Sequence, residues 1–399
     1  MKNRVMTLGE ISVFIRNGVT IKQNNQEKSG YPITRIETIS DGTIDQNRMG
    51  YAGIFGKEKY RNWFLENEDI LISHINSEKH LGKSAIYFGD KEKIIHGMNL
   101  LCFRAKKEIV TSQYLYFYFK SLNYRKSIGK IVKKSVNQAS FSIKDFRDIE
   151  INLPDIENQK EIVKKLETIY EILKLKEEQI KKISEFSKCL FFEMFGNSIS
   201  NYYNWKEEKC INITSKIGSG STPKGGNKSY KTEGISFIRS MNVHNIKFNY
   251  KDLAFIDEKQ SKSLENVKVE IEDILLNITG ASVARCCLVP ENILPARVNQ
   301  HVSIIRCKKD IVNPVFLCYQ FTSKEYQELL WSIARSNGAT REAITKQQEE
   351  NLKVIIPPIE LQNKFAKRIK LIEKSKFKIQ QSIDETQKLF DSLMEKYFG

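Results

Sequence analysis

Two stretches of the chain place apolar residues at alternating steps of four and three. Eight of the ten positions in each series are apolar, and Lys and Glu are frequent between them. This spacing, held over about five heptads, is typical of the seam of a coiled coil. The pattern predicts two long paired helices; the alternative is an amphipathic helix lying on its own globular domain. The two series are Ile162, Leu166, Ile169, Leu173, Lys176, Ile180, Ile183, Ser187, Leu190, Met194 and Phe365, Ile369, Ile372, Lys376, Ile379, Ile383, Thr386, Phe390, Leu393, Tyr397.

Each predicted helix begins just after a proline, Pro154 or Pro358. An acidic residue, Glu157 or Glu360, lies in or near the first turn, where the helix dipole favours a negative charge. At 1.5 Å per residue, a helix over 159–196 is roughly 55 Å long. Because the ends of most domains lie close together, the second helix is expected to begin where the first one ends. Antiparallel packing would then give a pseudo-twofold arrangement.

The remainder of each half alternates short β-type runs with Gly, Asn and Ser turns. The runs include YPITRIETI, DILISHI and AIYFG, and later ISFIRSM, DILLNI and HVSIIRC. Helices are predicted over SQYLYFYFKSL and PVFLCYQFTSKEYQELLWSIA. The pattern therefore predicts an α/β class, with two mixed α+β domains in tandem separated by long helices that form an antiparallel coiled coil. The predicted segments are domain 1–152, helix 153–198, domain 199–355 and helix 356–399.

The two halves of the chain repeat one another. RAKKEIV begins at Arg104, and RCKKDIV begins 202 residues later at Arg306. EDIL also occurs in both halves, and LPDIENQ is matched by IPPIELQ. Offsets that stay between 202 and 204 along the whole chain indicate duplication of a unit of about 200 residues, which is too long for a solenoid repeat.

The charge balance favours a polyanionic partner. Lys and Arg number 64 against 48 Asp and Glu, so the net charge is +16 and the isoelectric point is near 9.3. Nucleic acid is the commonest partner for such a surplus. The alternative is a Lys- and Asn-rich proteome in which the surplus has no binding role.

Other features of the composition indicate a cytoplasmic protein. No apolar run approaches the ~20 residues needed to cross a bilayer. The N-terminal MKNRVMTLGEISVF lacks an apolar stretch followed by a cleavage site. The seven cysteines are odd in number and without C-x-x-C spacing, so they are expected to be buried thiols, with no disulfide framework and no metal site.

Several of these segments resemble the repeated conserved regions of type I restriction–modification specificity subunits. INLPDIENQKEIVKKLE and VIIPPIELQNKFAKRIK each follow a β-rich domain and open a long helix. KIGSGSTP, EDILLNITG and SNGATREAITKQQEENLKVIIPP carry the same resemblance, which covers essentially the whole chain. The first half departs from it, with GVTIKQ where the second half has GSTPKG.

The resemblance implies a DNA-reading subunit that is not catalytic by itself. Each target-recognition domain would read one half of a bipartite, asymmetric site in double-stranded DNA, with the helices as a spacer. Two methyltransferase subunits, which bind S-adenosylmethionine, would dock on the helices and conserved regions. ATP-dependent restriction subunits, which use ATP and Mg²⁺, would complete the complex. No cofactor is implied for this chain.

Motifs for catalysis are poorly matched. The Pro357–Pro358 pair is flanked by Ile on both sides and lacks the polar residue of an adenine-methyltransferase loop. LGKS resembles the end of a phosphate-binding loop, but Ser77 stands where the loop requires its first Gly. The acidic residues of PDIENQK lie at a helix start and are not all kept in the repeat. The five histidines are isolated and are expected to be structural or surface residues.

Candidate DNA contacts come from loops and strand ends. GSGSTPKGGNK combines small residues with Lys, which lets backbone N–H groups approach phosphates; a surface turn is the alternative. Arg35 and Arg239 end matching β-type runs and suit guanine, and Asn242 suits adenine; structural ion pairs are the alternative. Lys83 and Arg285 occupy matching loops after the EDIL strands. RAKKEIV is expected to be scaffold, because a repeated phrase cannot distinguish two half-sites. The candidates are Thr20, Arg35, Lys83, Ser221, Thr222, Lys224, Arg239, Asn242 and Arg285.

A second set of candidates is expected to pair the helices and bind partner subunits. It consists of Pro154, Gln159, Ile162, Leu166, Ile169, Pro357, Pro358, Gln362, Phe365, Ile369 and Ile372.

Two other functions stay open on the sequence: a coiled-coil assembly scaffold without DNA specificity, and a nucleic-acid-modifying enzyme with an unrecognised site. The scaffold predicts no dependence on DNA sequence, and the enzyme predicts turnover by the isolated chain.

Overall fold

Internal contacts divide the protein into two compact units. The computed structural model describes residues 4–23, 28–39, 42–56, 58–89, 93–135, 138–223, 225–336 and 342–399. Unit 1 comprises Met1–Glu177 with Gln381–Gly399, and unit 2 comprises Glu178–Gln380. The four predicted segments follow the secondary structure, whereas this division follows the packing, so each unit holds the start of one long helix and the end of the other.

Unit 1 is built around a four-stranded antiparallel sheet. Its strands, in spatial order, are Ser12–Asn17, Leu100–Ala105, Ile70–Ser73 and Ser84–Ile86. Helices pack their aromatic side chains against the buried strands. The further strands are Arg4–Thr7, Ile75–Asn76, Lys133–Lys134, Ala139–Ser140 and Glu150–Leu153, and the helices are Ser112–Tyr118, Leu122–Ile131, Ile143–Arg147 and the first long helix, Ile156–Phe195.

Unit 2 repeats this framework and adds a second sheet. The repeated sheet has the order Thr214–Ser219, Val302–Cys307, Ile274–Asn277 and Cys286–Leu288. The added sheet has the order Ala254–Ile256, Ile235–Ile238, Ala296–Val298 and Lys268–Val269, and it carries its own apolar core. The further strands are Lys206–Lys209, Val243–His244, Lys247–Phe248 and Lys353–Ile356, and the helices are Cys210–Ile213, Glu258–Lys262, Pro314–Thr322, Lys324–Arg335, Lys346–Asn351 and the second long helix, Ile359–Phe398. The predicted tandem of mixed α/β domains is confirmed.

The two long helices run antiparallel within unit 1. The rings of Tyr170 and Phe390 are 6.3 Å apart, and Lys176 Nζ donates to Ser382 Oγ and Thr386 Oγ1 at 2.8 Å each. Residue numbers rise along one helix as they fall along the other. All twenty predicted seam residues are buried or half-buried. The helix pairing is therefore confirmed, and Lys176, an exception to the apolar pattern, uses its ammonium group across the seam.

The ends of the long helices also pack on the globular cores. Phe398 lies 5.0 Å from Tyr114 between ring centroids in unit 1, and Phe195 lies 4.7 Å from Phe316 in unit 2. Leu166 is completely buried in the core of unit 1, as Phe365 is in that of unit 2. Both contacts considered for the helices are thus present, pairing along the seam and packing at the ends.

The repeated phrases contact one another. Arg104, which opens RAKKEIV, donates two 2.8 Å hydrogen bonds to the buried carboxylate of Asp69, which belongs to EDIL. Arg306 makes the same pair with Asp273, also at 2.8 Å. Each arginine joins two strands that are adjacent in the sheet but distant in sequence. The repeated phrase is therefore part of the scaffold. It occurs in both halves because each unit needs the same ion pair between its strands.

Two local predictions from the sequence are wrong. The segment predicted as the strand YPITRIETI contains a 3-10 helix, Ile36–Ile39, because the Thr38 hydroxyl accepts a hydrogen bond from Arg35 N at 2.8 Å. Each long aromatic helix is interrupted at a serine with extended backbone, Ser121 or Ser323. Ser121 Oγ accepts from Tyr124 N and starts a new helix there.

Six of the seven cysteines are buried, and Cys189 is exposed.

The ion pair within unit 2 gives a stability prediction. Asp273→Asn removes the buried charged partner of Arg306, and we expect a loss of about 3 kcal/mol in the free energy of unfolding. Glu270 contacts the same guanidinium at 2.6 Å, but its side chain is 53% exposed. Glu270→Gln is therefore the matched control, with an expected loss below about 1 kcal/mol. Urea denaturation of the full chain measures both; equal losses would contradict the scaffold role of Asp273.

Candidate nucleic-acid interface

A short 3-10 helix follows a matched arginine in each unit. Ile36–Ile39 follows Arg35, and Ser240–Asn242 follows Arg239. Arg239 N donates to Asn242 Oδ1 at 3.0 Å, which corresponds to the Arg35–Thr38 bond of unit 1. These local bonds turn the chain at the end of the β-type run and hold both arginines half-buried at the turn.

The loop after each EDIL strand lies beside this turn. In unit 1, Lys83, His80 and the 3-10 helix line a cavity of about 190 Å³. In unit 2, Asn277, at the end of the strand, donates through Nδ2 to Ser240 O at 2.9 Å. The structure therefore brings the segments that carry Arg35 and Lys83 together in unit 1. It joins the strand that precedes the Arg285 loop to the turn after Arg239 in unit 2.

The G-x-T segments approach a neighbouring loop closely. A Cβ on Gly18 would lie 1.9 Å from Gly97 O, and a Cβ on Gly220 would lie 1.8 Å from Val298 O, so only glycine fits at either position. Two residues later, Thr20 Oγ1 lies 3.1 Å from Met98 Sδ. The glycines explain why this segment is repeated, and they place the following threonine at a second loop.

A chain of polar contacts links this second loop to the rest of the face in unit 2. Thr222 Oγ1 donates to Gln300 Oε1, and the Gln300 amide contacts His301 Nε2 at 3.2 Å. His301 Nδ1 lies 2.6 Å from Thr279 Oγ1, directly before the loop that carries Arg285. These contacts connect the Thr222 segment to the loop that carries Arg285, and the Asn277–Ser240 hydrogen bond connects the strand before that loop to the turn after Arg239.

Sequence reasoning missed Met98 and Gln300. They occupy the same place in the two units, since each is contacted by the threonine of the G-x-T segment. Met98 is 42% exposed, and Gln300 is also exposed. The signal that would have found them is a solvent-facing position, just before a repeated strand, at which the two halves differ in chemistry.

The predicted contact residues differ in how far their side chains are already engaged. Arg35 forms a 3.0 Å ion pair with Glu37, and the Arg239 guanidinium lies 5.4 Å from the Tyr230 ring centroid and donates to Asp252 O. Asn242 is completely buried, and its amide donates to Asn249 O at 2.9 Å. This burial argues against base contact by Asn242. Ser221 is exposed, Lys83 and Arg285 are half-buried, and Lys224 lies outside the described residues.

The electrostatic environment of the unit 1 loop is positive. Partial desolvation and the nearby charges of Lys83 and Lys79 lower the pKa of His80. Burial lowers the pKa values of His74 and His96 to about 4, so both rings are neutral at pH 7. The positive charge at this face therefore comes from lysine and arginine.

The second set of candidates lies at the long helices. Gln159 and Gln362 are completely buried. Gln159 accepts from Thr111 N at 3.0 Å and donates to Ile109 O and Pro154 O; Gln362 accepts from Asn313 N at 2.9 Å and donates to Ile311 O and Pro357 O. These amides bind their own unit, which gives them a framework role. Leu166, Pro357, Phe365 and Ile369 are buried, Pro154, Ile162, Ile169 and Ile372 are half-buried, and Pro358 is exposed.

The described residues contain no cluster of three or more His, Cys, Asp or Glu side chains suited to a metal ion. The acid with the strongest upward shift among those described is Glu349, whose pKa burial raises to about 8. Glu349 is only 1% exposed, and the corresponding position of unit 1 is the core residue Phe146. Its place in the core argues for a structural role.

Among the described residues, no helix combines the length and apolarity needed to cross a membrane.

Comparison with known proteins gives a consistent picture. The family model for the type I restriction modification DNA specificity domain matches this chain twice, at residues 2–185 and 204–386. A Methanocaldococcus jannaschii protein, named for the MjaX specificity subunit of a type I restriction enzyme, is 32% identical over 386 residues, covering 92% of this chain and 86% of that one. The Escherichia coli EcoKI specificity subunit is 22% identical over 227 residues, 54% of this chain and 48% of that one.

Two solved structures share the fold. The S subunit of a type I restriction-modification system from M. genitalium has a TM-score of 0.57 at 14% identity, covering all of this chain and 96% of that one. A chain from a structural study of complex assembly and conformational transition in the type I system has a TM-score of 0.60 at 17% identity, covering 99% and 97%. At these identities the likeness concerns the fold.

Proposed function

Since the chain belongs to the type I restriction-modification DNA specificity family, we propose that each of its two units reads one half of a bipartite, asymmetric sequence in double-stranded DNA. The supporting observation is that the two units share a framework but differ on one exposed face. The Arg–Asp joints and buried glutamines are the same in both, whereas Met98 of unit 1 stands where unit 2 has Gln300. Two different faces on one scaffold suit two different half-sites.

The chemistry of this face suits base contact. Arginine pairs with guanine O6 and N7, glutamine pairs with adenine N6 and N7, and an apolar side chain packs on the thymine methyl group. We therefore assign base contacts to Arg35 and Met98 in unit 1 and to Arg239 and Gln300 in unit 2. Lys83 and Arg285 lie beside these turns and would contact phosphates, which position the duplex without reading sequence.

Specificity subunits of this family work with methyltransferase and restriction subunits. We propose that the long helices of this chain dock two methyltransferase subunits. Apolar side chains are exposed along both helices, which is unusual for a solvated helix and typical of a contact surface. The residues are Leu175, Phe186, Phe192, Leu371, Phe377 and Leu389.

The chemistry of the complex would be supplied by its partners. The methyltransferase subunits would bind S-adenosylmethionine, and the restriction subunits would use ATP and Mg²⁺ in the cytoplasm. This chain would supply sequence recognition without catalysis. The family match favours this function over a coiled-coil assembly scaffold and over a nucleic-acid-modifying enzyme.

Methylome sequencing tests the DNA-reading function. In cells that express the partner subunits, the wild-type gene should add one bipartite methylated motif, and its deletion should remove that motif. Arg239→Ala should relax one position in one half-site, at a cost of about 1–3 kcal/mol, because a guanine contact is lost. Arg35→Ala is the matched variant and should relax a position in the other half-site. Melting curves check that both variants fold. Methylation that does not depend on this gene would contradict the function.

The long helices should set the spacing between the half-sites. Seven residues added to both helices, after Glu177 and after Gln380, fall at the boundary between the units and keep the 4–3 seam. The added heptad lengthens each helix by roughly 10 Å, or about 3 bp of B-DNA. We expect the same two half-sites to be methylated with a longer spacer.

Insertion of four residues in both helices is the control, since it displaces the seam and should abolish methylation of the motif. An unchanged spacer in a folded seven-residue variant would show that the helices do not measure DNA.

A further inference from the structure

Unit 1 contains a solvent-open cleft rich in cationic side chains. The cleft has a volume of about 690 Å³ and lies between the loop Glu78–His80 and the helix Leu122–Ile131. Among the described residues that line the cleft, the one acidic side chain is that of Glu78, which forms a 2.9 Å ion pair with Lys134. The unit 1 cleft, as we call it, is lined in particular by Lys79, Lys83, Lys120, Tyr124, Arg125 and Gly129.

Two hydroxyl groups in the wall of the unit 1 cleft lack hydrogen-bond partners among the described residues. They belong to Tyr124 and Ser84, which are both buried. Lys120 is half-buried and its Nζ donates at 2.5 Å to the hydroxyl of Tyr116, a residue outside the described lining of the cleft, and desolvation lowers the pKa of Lys120 to about 8. Buried hydroxyls without partners are uncommon in folded proteins. The two hydroxyl groups lie beneath the surface of the wall, so the cationic side chains of Lys79, Lys83 and Arg125, among the described lining residues, are what the cleft offers to an anion.

Unit 2 does not repeat this set of residues. At matching positions Lys79 is replaced by Ala281, Lys120 by Thr322, Arg125 by Gln327 and Gly129 by Trp331. Gln327 donates to Ala284 O at 2.8 Å and to Phe321 O, and Trp331 packs on the core of unit 2. Of the four cations, only Lys83 has a basic counterpart, Arg285. The local backbone is nevertheless alike, since Gly82 and Ala284 have φ values of 72° and 70°.

We propose that the unit 1 cleft binds a phosphate group of the DNA backbone next to the half-site read by unit 1. Phosphate oxygens accept charge-assisted hydrogen bonds from Arg and Lys, which line this cleft. The proposal rests on the proposed function for its choice of DNA as the source. A free phosphate compound offers the same chemistry, and the experiment separates the two.

The unit 1 cleft makes the two half-sites unequal. Each neutralised phosphate contributes about 0.9 to the slope of log affinity against log salt concentration. The half-site read by unit 1 is therefore held with a steeper salt dependence than the half-site read by unit 2. The sequence readout proposed for unit 1 should be unaffected by changes in the cleft, because neither Arg35 nor Met98 is among its described lining residues.

Salt titrations of variants test the proposal. The full chain binds a duplex carrying the methylated motif, measured by fluorescence anisotropy at several salt concentrations. Lys79→Ala with Arg125→Ala should reduce the slope by about one unit. Gly129→Trp, which introduces the residue of unit 2, should do the same by filling the cleft; a Cβ at Gly129 meets no atom within 4 Å. Melting curves confirm folding.

Lys126→Ala with Lys130→Ala is the matched control. It removes the same total charge, from the helix that carries Arg125, but both residues line a different cavity. Its slope should stay that of the wild type. An equal reduction in the control, or wild-type slopes in both cleft variants, would overturn assignment of the cleft to DNA.

Pyrophosphate distinguishes the two sources. One outcome is that pyrophosphate raises the melting temperature of the wild-type chain but not of the cleft variants, while the salt slopes of those variants stay unchanged. This outcome would assign the site to a free phosphate compound and refute the DNA source. No rise together with unchanged slopes would refute the site itself. Failure of the wild-type chain to prefer its motif would instead count against the proposed function. The melting-temperature shift with pyrophosphate would then be the remaining test of phosphate binding in the cleft.

Discussion

One buried glutamine in each unit fixes the long helix to the globular domain from which it starts. A buried amide that lost its partners would cost about 1–3 kcal/mol, so its geometry is restricted. Gln159 satisfies its amide with three backbone groups, at Ile109, Thr111 and Pro154. These groups belong to the end of RAKKEIV, to Thr111 directly after it and to Pro154 just before the helix, so the direction of the helix is set by the domain. Gln362 does the same in unit 2.

The repeated phrases form one connected framework. Arg104 binds Asp69 of the EDIL strand, and five residues after Arg104 the chain meets Gln159. Three phrases that recur at offsets of 202 to 204 residues therefore contact one another in each unit. The repeated residues hold the fold, and we propose that residues which differ between the halves serve recognition. Met98 and Gln300, and the cationic cleft confined to unit 1, belong to the second class.

The sequence predicted the paired helices well because their signal is local and periodic. The seam from Ile162 to Met194 needs only the 4–3 spacing. The Arg104–Asp69 pair was not predictable in this way, because it depends on which strands become neighbours in the sheet. The 3-10 helix at Ile36–Ile39 was missed because one threonine hydroxyl outweighs β propensity. Asn242 was assigned to adenine by residue type alone, whereas its amide is used inside the fold.

Replacing the globular part of unit 2 by that of unit 1 tests the central claim most directly, that each unit reads its own half-site on a common scaffold. A chimera in which residues 4–153 replace residues 206–356 keeps both long helices and duplicates the first face. The account predicts that methylome sequencing finds a motif carrying the first half-site twice, at the wild-type spacing. A folded, active chimera that still methylated the original asymmetric motif would contradict it.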